Sequence, residues 1–462
     1  MRKMKRIAAL GLAGIMAFGL TACGGKNVDD AASGAAENSG PQEATEPGNA
    51  AKEGGRTLVI SMESVTAEAD ELRKDYFDKQ LKAAFPNDNI TIDVASDAQS
   101  LQVQVAGGSG PDLFHLNGPT DAVEYAKAER IIDLSAYADQ YNWKDLFYDW
   151  AYGTSYYDGK LYSLPNSFEG MVIYYNTDVF EANGWEKPET LDELLMLCDD
   201  AQAKGIIPFS FGNSDYQGAV DWLYSTFLSC YAGPDAMKEA LEGSRSWTDP
   251  QIKGGIETMV DWWQKGYIGD KKSQALTGDD MVSLFANGKA AMMIDGTWAS
   301  NSLITTYPEC KWDVEVMPEI HDGSGRILPL ATGGCFAVNK SCKDPDFAAE
   351  VLNWIYTGNL ETHIRGVVEA GFQPFPIKTI DPESFNGMNE KMLDMYQALF
   401  DGMDSGKVGY CSWTFFPSTA RNYMNENTDA LFLGQLGVDD YLNRVEELVK
   451  AAVADGSAPQ LP

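Results

Sequence analysis

Short apolar runs recur along the chain and alternate with longer stretches in which apolar residues return every three or four positions. Runs of the first kind read as buried strands, and stretches of the second kind as amphipathic helices. Strands are expected at 57–61, 90–95, 112–116, 171–175, 208–211, 290–294, 312–316 and 335–338. A helix is expected over 66–85. Another starts at Thr190, where Glu193 completes a capping box and Pro188 stands just ahead. A third starts at Asp249-Pro250, because the first helical position has no use for the N–H that Pro lacks. The last third is mainly helical, at 347–356, 390–400, 418–432 and 438–452. Strands alternating with helices in this way specify an α/β chain.

The N-terminus departs from that pattern. Arg2, Lys3, Lys5 and Arg6 precede an apolar run over 7–20 that glycines interrupt. The run is shorter than the roughly 20 apolar residues that span a bilayer, and a basic start before it reads as a signal peptide over 1–22. Its end, Leu20-Thr21-Ala22-Cys23, resembles the lipobox of bacterial lipoproteins, in which the Cys is acylated and becomes the new N-terminus. That resemblance implies a lipidated Cys23 and a stable membrane anchor, since two acyl chains hold where one does not. Residues 24–56 contain no aromatic residue, and Val28 is their only large aliphatic. Such a segment cannot offset its ordering entropy by burial. It is expected to be a flexible tether with an r.m.s. span of about 30 Å.

The remainder, 57–462, is long enough for two domains. A formal net charge of −33 argues against nucleic acid, which needs a basic surface, and disfavours phosphate-bearing ligands. Six cysteines follow Cys23, and an exported chain permits disulfides among them. Cys198 shares an apolar helical face with Leu191, Leu194 and Leu195, and Cys230 lies in a similar run, so buried free thiols are favoured for these two. No paired CxxC spacing occurs, and the three histidines (His115, His321, His363) are too few for a His-based metal centre. No metal and no cofactor is therefore expected.

Five stretches then fall in a recognisable order. They are Gly110-Pro111-Asp112-Leu113-Phe114; Gly159-Lys160-Leu161-Tyr162-Ser163-Leu164-Pro165 followed by Ile173-Tyr174-Tyr175-Asn176; Pro188-Glu189-Thr190-Leu191-Asp192-Glu193-Leu194; Phe285-Ala286-Asn287-Gly288-Lys289-Ala290-Ala291-Met292; and Asp295-Gly296-Thr297-Trp298. Together they resemble the extracellular solute-binding proteins of carbohydrate ABC importers, with Leu191 where that family usually has Trp. The resemblance runs from about Thr57 to the C-terminus. It implies a two-lobed, periplasmic-binding-protein-like α/β fold of class II, with a ligand cleft between lobes joined by three crossings. Those crossings map near 166–169, Asp295 and 371–374. One lobe would then comprise 57–166 plus 296–371, and the other 167–295 plus 372–462. The resemblance also implies an oligosaccharide ligand, the permease subunits of an ABC importer as partner, a monomeric state, and a lipid-anchored place on the extracytoplasmic face, with a Gram-positive surface favoured.

Sugars present apolar C–H faces and a rim of hydroxyls, so their sites combine flat aromatics with planar polar groups. Strand ends and crossings are where open α/β sheets bind ligands. Trp298, after Gly296, is the leading aromatic candidate, followed by Trp413, Tyr216, Trp222 and Phe168. Polar candidates are Glu63, Asn117, Asn166, Glu169, Asp215, Asp295 and Gln373. Carboxylates among them would accept charge-assisted bonds from hydroxyls. Gly333 and Gly334 would let backbone approach the ligand. An exported glycoside hydrolase would need a spaced carboxylate pair, which Glu169, Asp215 and Asp295 could supply. The ordered stretches favour a binder, and no Gly-x-Ser-x-Gly, His-Glu-x-x-His or phosphate-loop motif is present. Binding without catalysis is expected; the same fold binding a polyamine or peptide is the rival.

Overall fold

Two β-sheets, each flanked by helices, organise the chain. The structure is a computed structural model that describes residues 54–62, 67–94, 98–214, 218–269 and 272–462. In chain order, β1 (Thr57–Met62), β2 (Asn89–Val94) and β3 (Leu113–Leu116) are followed by the short pieces β4 (Tyr156–Tyr157), β5 (Lys160–Leu161) and β6 (Leu164–Pro165). Then come β7 (Phe168–Asn176), β8 (Ile207–Ser210), β9 (Ala290–Gly296), β10 (Trp312–Glu315), β11 (Leu328–Thr332), β12 (Cys335–Val338) and β13 (Val408–Tyr410). The first sheet has the order β2-β1-β3-β12-β6, and the second β13-β11-β7-β9-β8 with β10 also on β7. β4 and β5 pair only with each other.

β7 explains the shape of the second sheet. All nine of its residues are buried, as expected of a strand covered on both faces. One edge pairs with β11 through Phe168–Gly170 and with β10 through Ile173–Asn176, while the other edge pairs with β9. In the first sheet β1 runs parallel to β2 and β3, and β12 returns antiparallel to β3 and β6.

The sheets fix where the chain passes between the two halves. It leaves the first sheet after β6, at Asn166–Ser167, and returns between β11 and β12, at Gly333–Gly334. Asp295, expected near a crossing, marks no lasting passage to the first sheet. It lies inside β9, and the next two strands, β10 and β11, still pair within the second sheet. Residues 312–332 therefore do not belong with the first half, because β10 and β11 are held by the ladder of β7, whereas the helix Ala299–Thr305 ahead of them packs on Ala67–Arg73 and Leu360–Ala370. A last passage leads from β12 back to β13. The passages bond to one another: the Asn166 N–H donates to the Gly334 carbonyl (2.7 Å), the Phe168 N–H to the Pro374 carbonyl (2.9 Å), and the Gly333 N–H to the Ser167 carbonyl (3.2 Å).

Local signals act as the residues dictate. Thr190 and Glu193 form a reciprocal capping box on the helix Leu191–Ala203, and Asp249 caps the helix Pro250–Lys265 with Pro250 in its first turn. The helix expected over 66–85 is broken by a π-turn at Lys74–Asp78 between Ala67–Arg73 and Lys79–Ala84. Cys198 and Cys230 are fully buried, and all six described cysteines are free. Among the described residues, no helix is long and apolar enough to cross a membrane, and no cluster of potential metal ligands occurs.

Candidate binding cleft

The passages between the sheets border a cavity of about 340 Å³. Three tryptophans from separate segments meet in it. Trp298 stands just before the helix Ala299–Thr305, with Trp222 centred 5.5 Å from it and Trp413 5.7 Å from it, at interplanar angles of 54° and 75°. Trp222 comes from the helix Gly218–Ala232 and Trp413 from Ser412–Phe415. Trp222 and Trp298 are half-buried, while Trp413 is nearly covered.

Gly296 makes this cluster possible. A β-carbon there would lie 2.0 Å from the Trp298 ring, so only glycine lets the indole fold back over the end of β9. Asp295 lies beneath it. Its carboxylate accepts from the Gly296 N–H (2.7 Å) and from the Trp298 indole. At 1 % exposure it does not line the cavity. Burial pushes its pKa up to about 8, and the two hydrogen bonds oppose that rise. Asp295, expected as a ligand contact, is a support for Trp298.

Alternation along β7 corrects a second expectation. Successive residues face opposite ways on a strand, so Phe168 and Glu169 cannot both reach the cavity. Glu169 does, whereas Phe168 is fully buried against Tyr396 and Phe400, with ring centroids 6.1 and 5.3 Å away. The two glycines of the second passage also divide. Gly333 lines the cavity, and a β-carbon on it would strike the Glu169 carboxylate at 2.2 Å. Gly334 is not on the wall; its β-carbon would meet His115 Nε2 at 2.0 Å.

Asn117, Asn166 and Gln373, candidates for ligand contact from the sequence, line the cavity. Gln373 is held in place, its Oε1 accepting from Thr297 Oγ1 (2.6 Å) and from the Tyr396 hydroxyl (3.4 Å). Glu63, Asp215, Tyr216 and Cys23 lie outside the described residues.

Several lining residues escaped the sequence reading: Asp221 and Arg421 near the tryptophans, and Asp70, Arg73, Tyr76 and Asn301 farther along. Arg421 is a bridge. It donates from Nε to Asp221 Oδ2 (2.9 Å) and from Nη1 to Asp121 Oδ1 (3.3 Å). Asp221 lies in the helix Gly218–Ala232, against the second sheet, and Asp121 in Pro119–Lys127, which follows β3 of the first. Asp221 is 1 % exposed and also accepts from Ser412 Oγ (2.6 Å) and Asn425 Nδ2 (3.1 Å). Beside this bridge, Thr120 Oγ1 donates to the Trp413 carbonyl (2.9 Å), an approach that Gly118 allows because a β-carbon there would lie 2.4 Å from that oxygen. Arg421 and Asp221 are 200 positions apart, and no local pattern announces their pairing. Burial lowers His115 to a pKa of about 4, so the ring is neutral at pH 7.

With this geometry in hand, the sequence model of the bacterial extracellular solute-binding proteins matches residues 64–357, more than half of the chain. The chain belongs to that family. A diacetylchitobiose binding protein of Streptomyces coelicolor is 27% identical over 60% of this chain and 63% of its own length. An ABC transporter extracellular-binding protein of Pyrococcus horikoshii is 24% identical over 49% of this chain and 53% of its own. The chain thus spans between half and two thirds of the length of these two relatives. Among solved structures, a chitin oligosaccharide binding protein superposes with a TM-score of 0.71 at 23% identity, covering 86% of this chain and 99% of the other. That likeness is one of fold: a two-lobed solute-binding α/β architecture.

Proposed function

We propose that this solute-binding protein captures an oligosaccharide in the cleft at Trp298 and presents it to the permease of an ABC importer. The observation that carries the reading is the meeting of Trp222, Trp298 and Trp413 beside Asn117, Asn166, Glu169 and Gln373. Indole faces cover the apolar side of a sugar ring, and planar amides and carboxylates bond its hydroxyls. The diacetylchitobiose and chitin oligosaccharide specificities carried in the names of its relatives support the same class. A polyamine is less suited, because Asp221 is engaged by Arg421 and Asp70 lies beside Arg73. The first lobe comprises 57–166 and the part from Cys335 to about Ile380, where Ile377 bridges to Phe147; the second comprises 167–332 and the part from about Asp381. Ligand bridging the two stabilises the closed state. The protein acts without chemistry, as a monomer, exported and held to the outer face of a Gram-positive membrane through lipid on Cys23 and the tether 24–56.

A thermal-shift screen of Ala51–Pro462, which forms one compact unit, tests the reading against N,N′-diacetylchitobiose, maltose, their monosaccharides and spermidine. A ligand specific to the native state adds about 2.7 kcal/mol at a hundredfold excess over its Kd. The expected result is a rise with one oligosaccharide that disappears in Trp298→Ala. A rise with spermidine alone, or release of cleaved sugar, would overturn it.

A further inference from the structure

The two lobes also meet away from the cavity wall, along the helix Pro119–Lys127 of the first lobe. This helix and the segment it touches start at the same passage. Cys335 Sγ donates to the carbonyl of Gly118, just ahead of the helix (3.4 Å). On the other side of Gly333–Gly334, the Thr332 N–H donates to Thr414 Oγ1 (3.1 Å). Close to the passage the contact is uncharged: Thr120 bonds the Trp413 carbonyl, and Trp150 packs on Phe415 with ring centroids 6.5 Å apart.

Farther along the helix the contact becomes ionic. Asp121, Glu124 and Lys127 stand three residues apart, as neighbours along one side of the helix. All three reach second-lobe groups. Asp121 accepts from Arg421, Ser418 Oγ donates to Glu124 Oε1 (2.6 Å), and Lys127 Nζ lies 3.9 Å from Asp455 Oδ2. Ser418 and Arg421 belong to the first turn of Ser418–Phe432, and Asp455 ends the helix Val438–Asp455. Lys127 also lies 3.7 Å from Glu124, which links the outer two contacts. The side chains of Asp121, Glu124 and Lys127 are 38 %, 47 % and 29 % exposed, so dissolved salt screens them.

None of these three residues lines the cavity. A hinge movement displaces a group in proportion to its distance from the hinge. Lys127, about 13 Å along the helix from Gly118, therefore parts from its partner before Thr120 does. We propose that this helix is a salt-sensitive latch, in which Asp121, Glu124 and Lys127 hold the two lobes closed through bonds that no ligand has to supply. An exposed ionic contact biases an equilibrium by up to about fivefold, so three together shift the balance of open and closed forms by roughly tenfold. Arg421 joins the latch to the cavity, since one side chain both lines the wall and holds Asp121. Closure then asks for correspondingly less differential affinity from the ligand. The inference rests on the two-lobed fold and not on the identity of the ligand.

Small-angle X-ray scattering from the full-length protein, with no sugar added, tests it. The wild type is expected to show a larger radius of gyration at about 0.5 M NaCl than at about 0.05 M. The triple variant Asp121→Asn, Glu124→Gln, Lys127→Met has the larger radius already at low salt and loses the salt response. Lys253→Met, which breaks an ion pair with Asp439 inside the second lobe, scatters like the wild type. Folding of each variant is checked by circular dichroism. Should the triple variant not fold, Glu124→Gln alone takes its place. A radius that is the same in the wild type and the folded variant at both salt concentrations overturns the latch. A smaller radius in the variant also overturns it, because these bonds would then hold the open form.

Discussion

Trp298 owes its position to its neighbours. Gly296 leaves space for the indole, and Asp295 accepts its N–H from beneath. Trp298 was legible in the sequence because Asp295-Gly296-Thr297-Trp298 resembles a stretch of the solute-binding family. The role of Asp295 was not, because a side chain's facing in a strand depends on pairing, and β9 is paired on both edges. The buried carboxyl has a pH signature. Its folded pKa of about 8 lies above the unfolded value near 3.9, so the folded state binds the proton more tightly. The resulting stabilisation is full at acid pH and is lost as pH rises through about 8. Thermal melts should therefore show the wild type losing stability relative to Asp295→Asn between pH 5 and pH 8. Parallel curves for the two proteins would contradict this assignment.

At the scale of elements, strands and capped helices were the most legible features. The helix Ser418–Phe432 begins and ends where its periodicity predicts, and Thr190–Glu193 caps as expected. β11 and β13 were missed: one carries Pro329, and the other is three residues long. The second crossing was placed near Asp295 by the family resemblance, whereas β10 and β11 both pair with β7 and hold 312–332 in the second sheet. The Arg421 bridge joins helices from both halves, and its two bonds should differ in worth. Asp221 is 1 % exposed, and removing its partner strands a buried charge, so Arg421→Met should cost about 3–5 kcal/mol in a urea melt. Asp121 keeps 38 % of its side chain exposed, so Asp121→Asn should cost under about 1 kcal/mol. Equal losses would show that both carboxylates are equally desolvated.

For the whole molecule, the sequence pointed to two α/β halves and three passages because ordered motifs survive even where boundaries drift. The cavity at the passages was legible through its aromatic and loop polar residues. The lining by Asp221 and Arg421 was not, because both sit in ordinary helices and their pairing spans 200 positions. On the proposed function, an intact sugar sits against Trp298 between the halves. A crystal structure of Ala51–Pro462 grown with the sugar that gives the largest thermal shift tests it most directly. An uncleaved sugar is expected, with one ring flat against a tryptophan of the Trp222, Trp298 and Trp413 cluster and bonded to residues of both halves. A sugar bound elsewhere, or a hydrolysed product in the cleft, would contradict it.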